Sequence, residues 1–150
     1  MSRWDHLIGD DAYASKKRIL GALTLVQVKH VVSEETHTIH DELWHANRWQ
    51  SIIVHRDHEL YATWESGIRY PGRPAASEGE WTALVGEFLA GIETAAEVAS
   101  SNERLAEELA PGLIMADALN GVAVHNAYHL GKIVAIRQVL GAWRIGEAGR

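Results

Sequence analysis

Cysteine is absent from this chain, which rules out disulfides, thiolate metal sites and a cysteine nucleophile. Proline is scarce, three in 150 residues, and there is no low-complexity tract, internal repeat or long linker. No apolar run approaches the roughly 18 residues that a membrane span requires. The start, Met1-Ser2-Arg3-Trp4-Asp5, lacks the apolar stretch of a signal peptide. A cytoplasmic location without membrane partners is therefore the expectation. A basic stripe is also missing. The net charge of −6 argues against a nucleic-acid partner.

What remains is ordinary for a globular protein: 47% hydrophobic and 23% charged residues. The length suits one domain over residues 1–150. Nine histidines and six tryptophans stand out for this length.

Four helical segments are expected. The first covers 11–32, with an apolar stripe of Ile19, Leu20, Leu23 and Val26, although its β-branched second half (25–32) also suits a strand. The second opens at Thr38-Ile39-His40-Asp41, a capping box, and should run to about Tyr61. A loop with Gly67, Pro71, Gly72 and Pro74 follows. Ser77-Glu78-Gly79-Glu80 resembles a second capping box. Beyond it Trp81, Leu84, Val85, Phe88, Leu89 and Ile92 keep helical spacing. Pro111-Gly112 precedes the fourth segment, from about Met115 to Leu140, with Gly141 placed to end it. The pattern is all-α and fits a four-helix bundle.

The apolar seam of the fourth helix runs Ala118, Val122, His125, His129, Ile133, Ile136, Leu140. Two of these positions hold histidine where Leu or Ile is expected. One turn apart, His125 and His129 share a face. A buried imidazole needs partners for its ring nitrogens, and a metal ion could serve both rings at once. The pair alone reads equally well as a satisfied core. A third ligand could come from His45 on the second helix, because bundle sites are built from facing helices. Three neutral histidines would leave an open coordination position, as in catalytic zinc sites, and imidazole also suits nickel, copper and iron. His6, His30, His37, His40, His55 and His58 read as surface or capping residues. Trp44, Trp49, Trp64 and Trp81 read as core or interface.

The stretch Thr38-Ile39-His40-Asp41-Glu42-Leu43-Trp44-His45-Ala46-Asn47-Arg48-Trp49, and later His125-Asn126-Ala127-Tyr128-His129-Leu130-Gly131-Lys132-Ile133, resemble the DinB-like (YfiT-like) superfamily. That family's pattern is a T-I-x-[DE]-x-x-x-H stretch on the second helix and H-x-x-x-H-x-G-Q-I on the last. The tail 137–143 is also similar. The resemblance implies an up-up-down-down four-helix bundle and a divalent metal, commonly nickel or zinc, on His45, His125 and His129. It also implies homodimers and, for some members, transferases or isomerases that use a low-molecular-weight thiol.

One position departs from the pattern. Lys132 stands where the family has glutamine. Pointed at the metal, it would weaken metal binding or favour an anionic substrate; pointed at solvent, it would do neither. The leading expectation is a metal-dependent transferase or hydrolase, with an external thiol or a water activated at the metal. Asp41 and Glu42 could orient an imidazole or act as a base. Asp41 is more simply a cap, and Glu42 more simply solvated. Tyr128 reads as packing. Two alternatives are a metal-binding or stress-response protein without turnover, and a bundle whose histidines form only a hydrogen-bonded core network.

Overall fold

The computed structural model describes residues 2–144. The stretch expected as one helix over 11–32 is broken into pieces. α1 (Arg3–Ile8) precedes it, and α2 (Lys16–Leu20) and α3 (Leu25–Lys29) occupy it. Each break has a local cause. Ser15 caps α2 by accepting from the Arg18 amide at 3.2 Å. Gly21 closes α2, and Ala22 turns the chain with φ 53°. Thr24 and Gln27 then start α3 with a reciprocal capping box, at 2.9 and 3.2 Å. No strand forms over 25–32.

α4 (Ile39–Val54) opens with the expected capping box between Thr38 and Asp41, both contacts at 3.0 Å. It stops short of Tyr61. Arg56 adopts φ 52°, and Asp57 accepts from the Leu60 amide at 2.9 Å to begin α5 (His58–Glu65). A carboxylate one residue after a left-handed turn is a better start for a new helix than a continuation of the old one. This corner folds α5 back, so that Trp64 lies against His45 on α4.

α6 (Glu78–Ala99) buries Trp81, Leu84 and Phe88 as its spacing requires. Its N-cap is half of the expected box. Ser77 accepts from the Glu80 amide, but the Glu80 carboxylate is bound instead by Arg73 and the Ala76 amide. α7 (Asn102–Ala106) leads into a ribbon, β1 (Glu108–Ala110) with β2 (Leu113–Ile114), antiparallel and turned by Pro111 and Gly112. Gly112 has φ 79°, as the third position of a type II turn demands. α8 (Met115–Val139) follows, and Gly141 beyond it has φ 68°.

α4 packs against both α6 and α8. Ile39, Leu43, Phe88, Leu130 and Ile133 form the centre of the core, each fully enclosed. Polar groups tie the layers together. Gln50, wholly buried, accepts from Asn126 Nδ2 at 2.8 Å and donates to the Phe88 carbonyl at 2.9 Å. Arg137 near the end of α8 donates to the carbonyls of Arg18 and Ile19 at the C-terminal end of α2 and of its cap Gly21. A five-residue helix such as α2 has no stability by itself, so this clamp holds it. Among the described residues, no helix is long and apolar enough to cross a membrane.

Gly91 on α6 lets the Gln50 ladder form: a Cβ there would sit 2.2 Å from Gln50 Nε2. That amide is held by two hydrogen bonds, which any retreat would stretch or break. Gly91→Ala should therefore lower the unfolding free energy by about 1–3 kcal/mol despite its better helix propensity, measured by urea denaturation. Gly91→Ala with unchanged or raised stability would contradict this packing.

Candidate metal centre

Three histidines meet between α4 and α8. His45 Nε2 lies 3.1 Å from His125 Nε2, and His129 Nε2 lies 3.2 Å from the same atom. One ligand atom from each of His45, His125 and His129 falls within 4.8 Å of the others. The pairing of the two helices is antiparallel: Glu42 meets His129 and Lys132, while His45, further along α4, meets His125, earlier on α8. His45 and His129 are buried and His125 is half-buried.

The far nitrogens decide what the near ones can do. His45 Nδ1 is 2.7 Å from the Arg69 carbonyl, which can only accept, so Nδ1 carries the proton. His129 Nδ1 is 2.5 Å from Glu42 Oε2, an acceptor carboxylate, so the same holds. In the neutral rings both Nε2 atoms are then bare lone pairs, and both face His125 Nε2. One imidazole nitrogen can donate to only one of them. His125 Nδ1 is buried without a hydrogen-bond partner among the described residues. Three convergent donors with too few protons to satisfy one another are suited to a cation. Tetrahedral coordination at 2.0–2.1 Å would put ligand nitrogens about 3.3 Å apart, close to the spacing here.

Glu42, expected to be solvated, is fully buried. Its Oε1 is 2.7 Å from Lys132 Nζ, a close ion pair. Burial raises the Glu42 carboxyl, but the His129 hydrogen bond and the Lys132 ammonium outweigh it and hold the group below its ordinary value. Lys132 therefore points neither at the histidines nor freely into solvent. It balances the carboxylate that orients His129. Asp41 is committed to the N-terminus of α4.

Tyr70, in the loop after α5, is a site residue that sequence reasoning missed. Its ring stacks on His45, centroids 4.5 Å apart, and on His37 at 3.7 Å. Trp64 covers His45 from another side at 4.8 Å. The same loop supplies the Arg69 carbonyl. Trp81 is core, Trp49 lies beside Trp64 and His125, and Trp44 is half-buried with Arg48 over its ring. His40, expected at the surface, is buried, with its Nδ1 3.8 Å from Asp41. Tyr128, expected to pack, is 63% exposed, with its ring edge-on to His129 and under the Lys132 ammonium.

No protein-family model, curated protein or solved structure matches this chain.

Burial, reinforced by the neighbouring His129 and His45 rings, pushes the His125 imidazole down to about 4. Burial also lowers His45, against the Arg69 hydrogen bond that raises it. Both rings thus stay neutral in the folded chain where free imidazole, at 6.5, would take a proton. A lowered folded value means the unfolded chain binds protons first as pH falls. The stability is complete above about 6.5 and is lost on the way down to about 4. The melting temperature of metal-free protein should accordingly fall across that window, and His125→Ala should flatten part of the fall. A flat profile in the wild type would contradict this electrostatic reading.

Proposed function

We propose that this chain is a divalent-metal protein of the DinB-like superfamily that uses His45, His125 and His129 as ligands for a metal-dependent transferase or hydrolase reaction. The observation that carries the reading is the convergence of three Nε2 atoms, at 3.1 and 3.2 Å, with two of the rings held in the donor tautomer from behind. The antiparallel approach of α4 and α8 is compatible with the family's up-up-down-down bundle, with α1–α3 standing in for its first helix. Nickel or zinc suits an all-imidazole donor set.

Bound there, such a cation would supply a Lewis acid able to lower the pKa of a coordinated low-molecular-weight thiol or water. The chain's own groups do the rest. Glu42 fixes the tautomer and the angle of His129 and raises its basicity as a donor. The Arg69 carbonyl does the same for His45, and the rings of Tyr70 and Trp64 hold His45 in plane. Lys132 cancels the Glu42 charge, so a divalent ion at the site would keep its full charge toward a substrate. With no cysteine in the chain, a thiol would have to come from outside. The reading includes a homodimer; exposed Val124, Tyr128 and Val139 on α8 are apolar surface that a second copy could cover.

Untagged wild-type protein analysed for metals beside His125→Ala is the direct test. The expected result is near-stoichiometric nickel, zinc or another transition metal in the wild type and its loss in the variant, with the fold intact by circular dichroism. Wild-type protein that stays metal-free after a soak would overturn the proposal.

Glu42→Gln leaves all three ligands in place and isolates the orienting contact. It should weaken metal affinity about 10–100-fold, read by competition with a chromophoric chelator. An unchanged affinity would show that Glu42 does not orient His129.

A further inference from the structure

Beside the histidines lies a cleft of about 820 Å³, walled by α4, α5, the β1–β2 ribbon and α8. Its size is that of a small-molecule site, conventionally some 300–1,000 Å³. It is far larger than a coordinated water or a short thiol would need.

The walls are flat and apolar. Trp49 and Trp64 stand 5.2 Å apart at 38° and line it together with Tyr61, Leu109 and Leu113. Rings present the faces on which another ring packs best. The floor is α8. Ala118, Gly121 and His125 succeed one another along it, two small residues and then the candidate ligand. A Cβ at Gly121 would meet nothing within 4 Å, so the cleft reaches the helix backbone there. Of the three histidines, His125 alone lines the cleft, so a molecule in it approaches the Nε2 cluster from the His125 side.

Charged residues line the cleft too, Arg56, Asp57 and Glu108, with His58 beside them. Arg56 is paired with Glu107, Asp57 accepts from the Leu60 amide, and Glu108 accepts from the Gly112 amide at 3.0 Å. The Arg56 charge is balanced by Glu107, while Asp57 and Glu108, each held only by a backbone amide in these contacts, keep their negative charge, so an anion is disfavoured in the cleft.

We infer that this cleft binds a ring-bearing small molecule without negative charge and presents it to the histidine cluster at His125. The inference deepens the metal-enzyme reading by naming the substrate class, and as a pocket it rests on the cleft's own residues.

Three probes with one ring system and different charge test it: 2-naphthalenemethanol, 2-naphthoate and 2-naphthylmethylammonium. Binding is read by quenching of tryptophan fluorescence in wild type, Gly121→Leu, Gly121→Ala and His125→Ala. The neutral alcohol should bind at least about tenfold tighter than the naphthoate, whose charge would be desolvated beside the Asp57 and Glu108 carboxylates, and the ammonium should also bind tighter than the naphthoate. Gly121→Leu fills the floor and favours helix, and should weaken the alcohol by about tenfold or more with metal content unchanged. Gly121→Ala should fall between. His125→Ala should lose metal yet keep most of the alcohol affinity. Naphthoate binding as tight as that of the alcohol or the ammonium would overturn the inference, as would a Gly121→Leu variant that binds like wild type. Loss of alcohol binding in a folded His125→Ala would also overturn it. Should the wild type hold no metal while the probe pattern appears as stated, the pocket stands and the metal reading alone falls.

Discussion

A long helix that buries polar side chains must find a partner for each, and α8 buries three. Asn126, His129 and Arg137 all lie on its enclosed face. A buried polar group left unmatched costs about 1–3 kcal/mol, and a buried cation more. Asn126 is matched by Gln50, His129 by Glu42, and Arg137 by the exposed carbonyl end of α2. These contacts fix the height of α8 against α4 and anchor the N-terminal segments to both. Apolar packing through Leu43, Leu130 and Ile133 supplies the attraction, but attraction of that kind tolerates sliding. The polar matches set the register.

The histidine cluster follows from that register. With Glu42 against His129, one turn of each helix brings His45 to His125. The corner at Arg56 and Asp57 then returns α5 over α4 and sets Trp64 on His45, and the loop beyond it delivers the Arg69 carbonyl and Tyr70. The same corner opens the cleft between α5 and α8. The histidine geometry and the cleft thus share one cause, the early end of α4.

Much of this was legible in the sequence. The helical spacing of Trp81, Leu84 and Phe88, the Thr38–Asp41 box and the histidines on the α8 seam are local signals, and they place α6, α8, the start of α4 and the pair His125 and His129; His45 comes from the facing-helix argument and the family resemblance, and it meets that pair. The apolar stripe over 11–32 points to one helix, but the caps Ser15, Gly21 and the Thr24–Gln27 pair break it into short pieces. α4 was run too long because a left-handed Arg56 leaves no mark in composition, although Asp57 was a readable helix start. Burial of Glu42 depends on two partners more than eighty residues away in sequence. The roles of the Arg69 carbonyl and Tyr70 had no signal, since a backbone acceptor belongs to any residue and ring stacking needs the loop's path.

The account depends most on His45 and His129 each carrying the proton on Nδ1, so that bare Nε2 atoms converge on His125. Nitrogen-15 NMR of the imidazole rings in metal-free protein near neutral pH reads this directly. The account predicts Nδ1–H tautomers for His45 and His129, with both Nε2 atoms showing the shift of an unprotonated nitrogen. Nε2–H tautomers at either ring would contradict it, because the cluster would then be a chain of ordinary hydrogen bonds and no place for a metal ion.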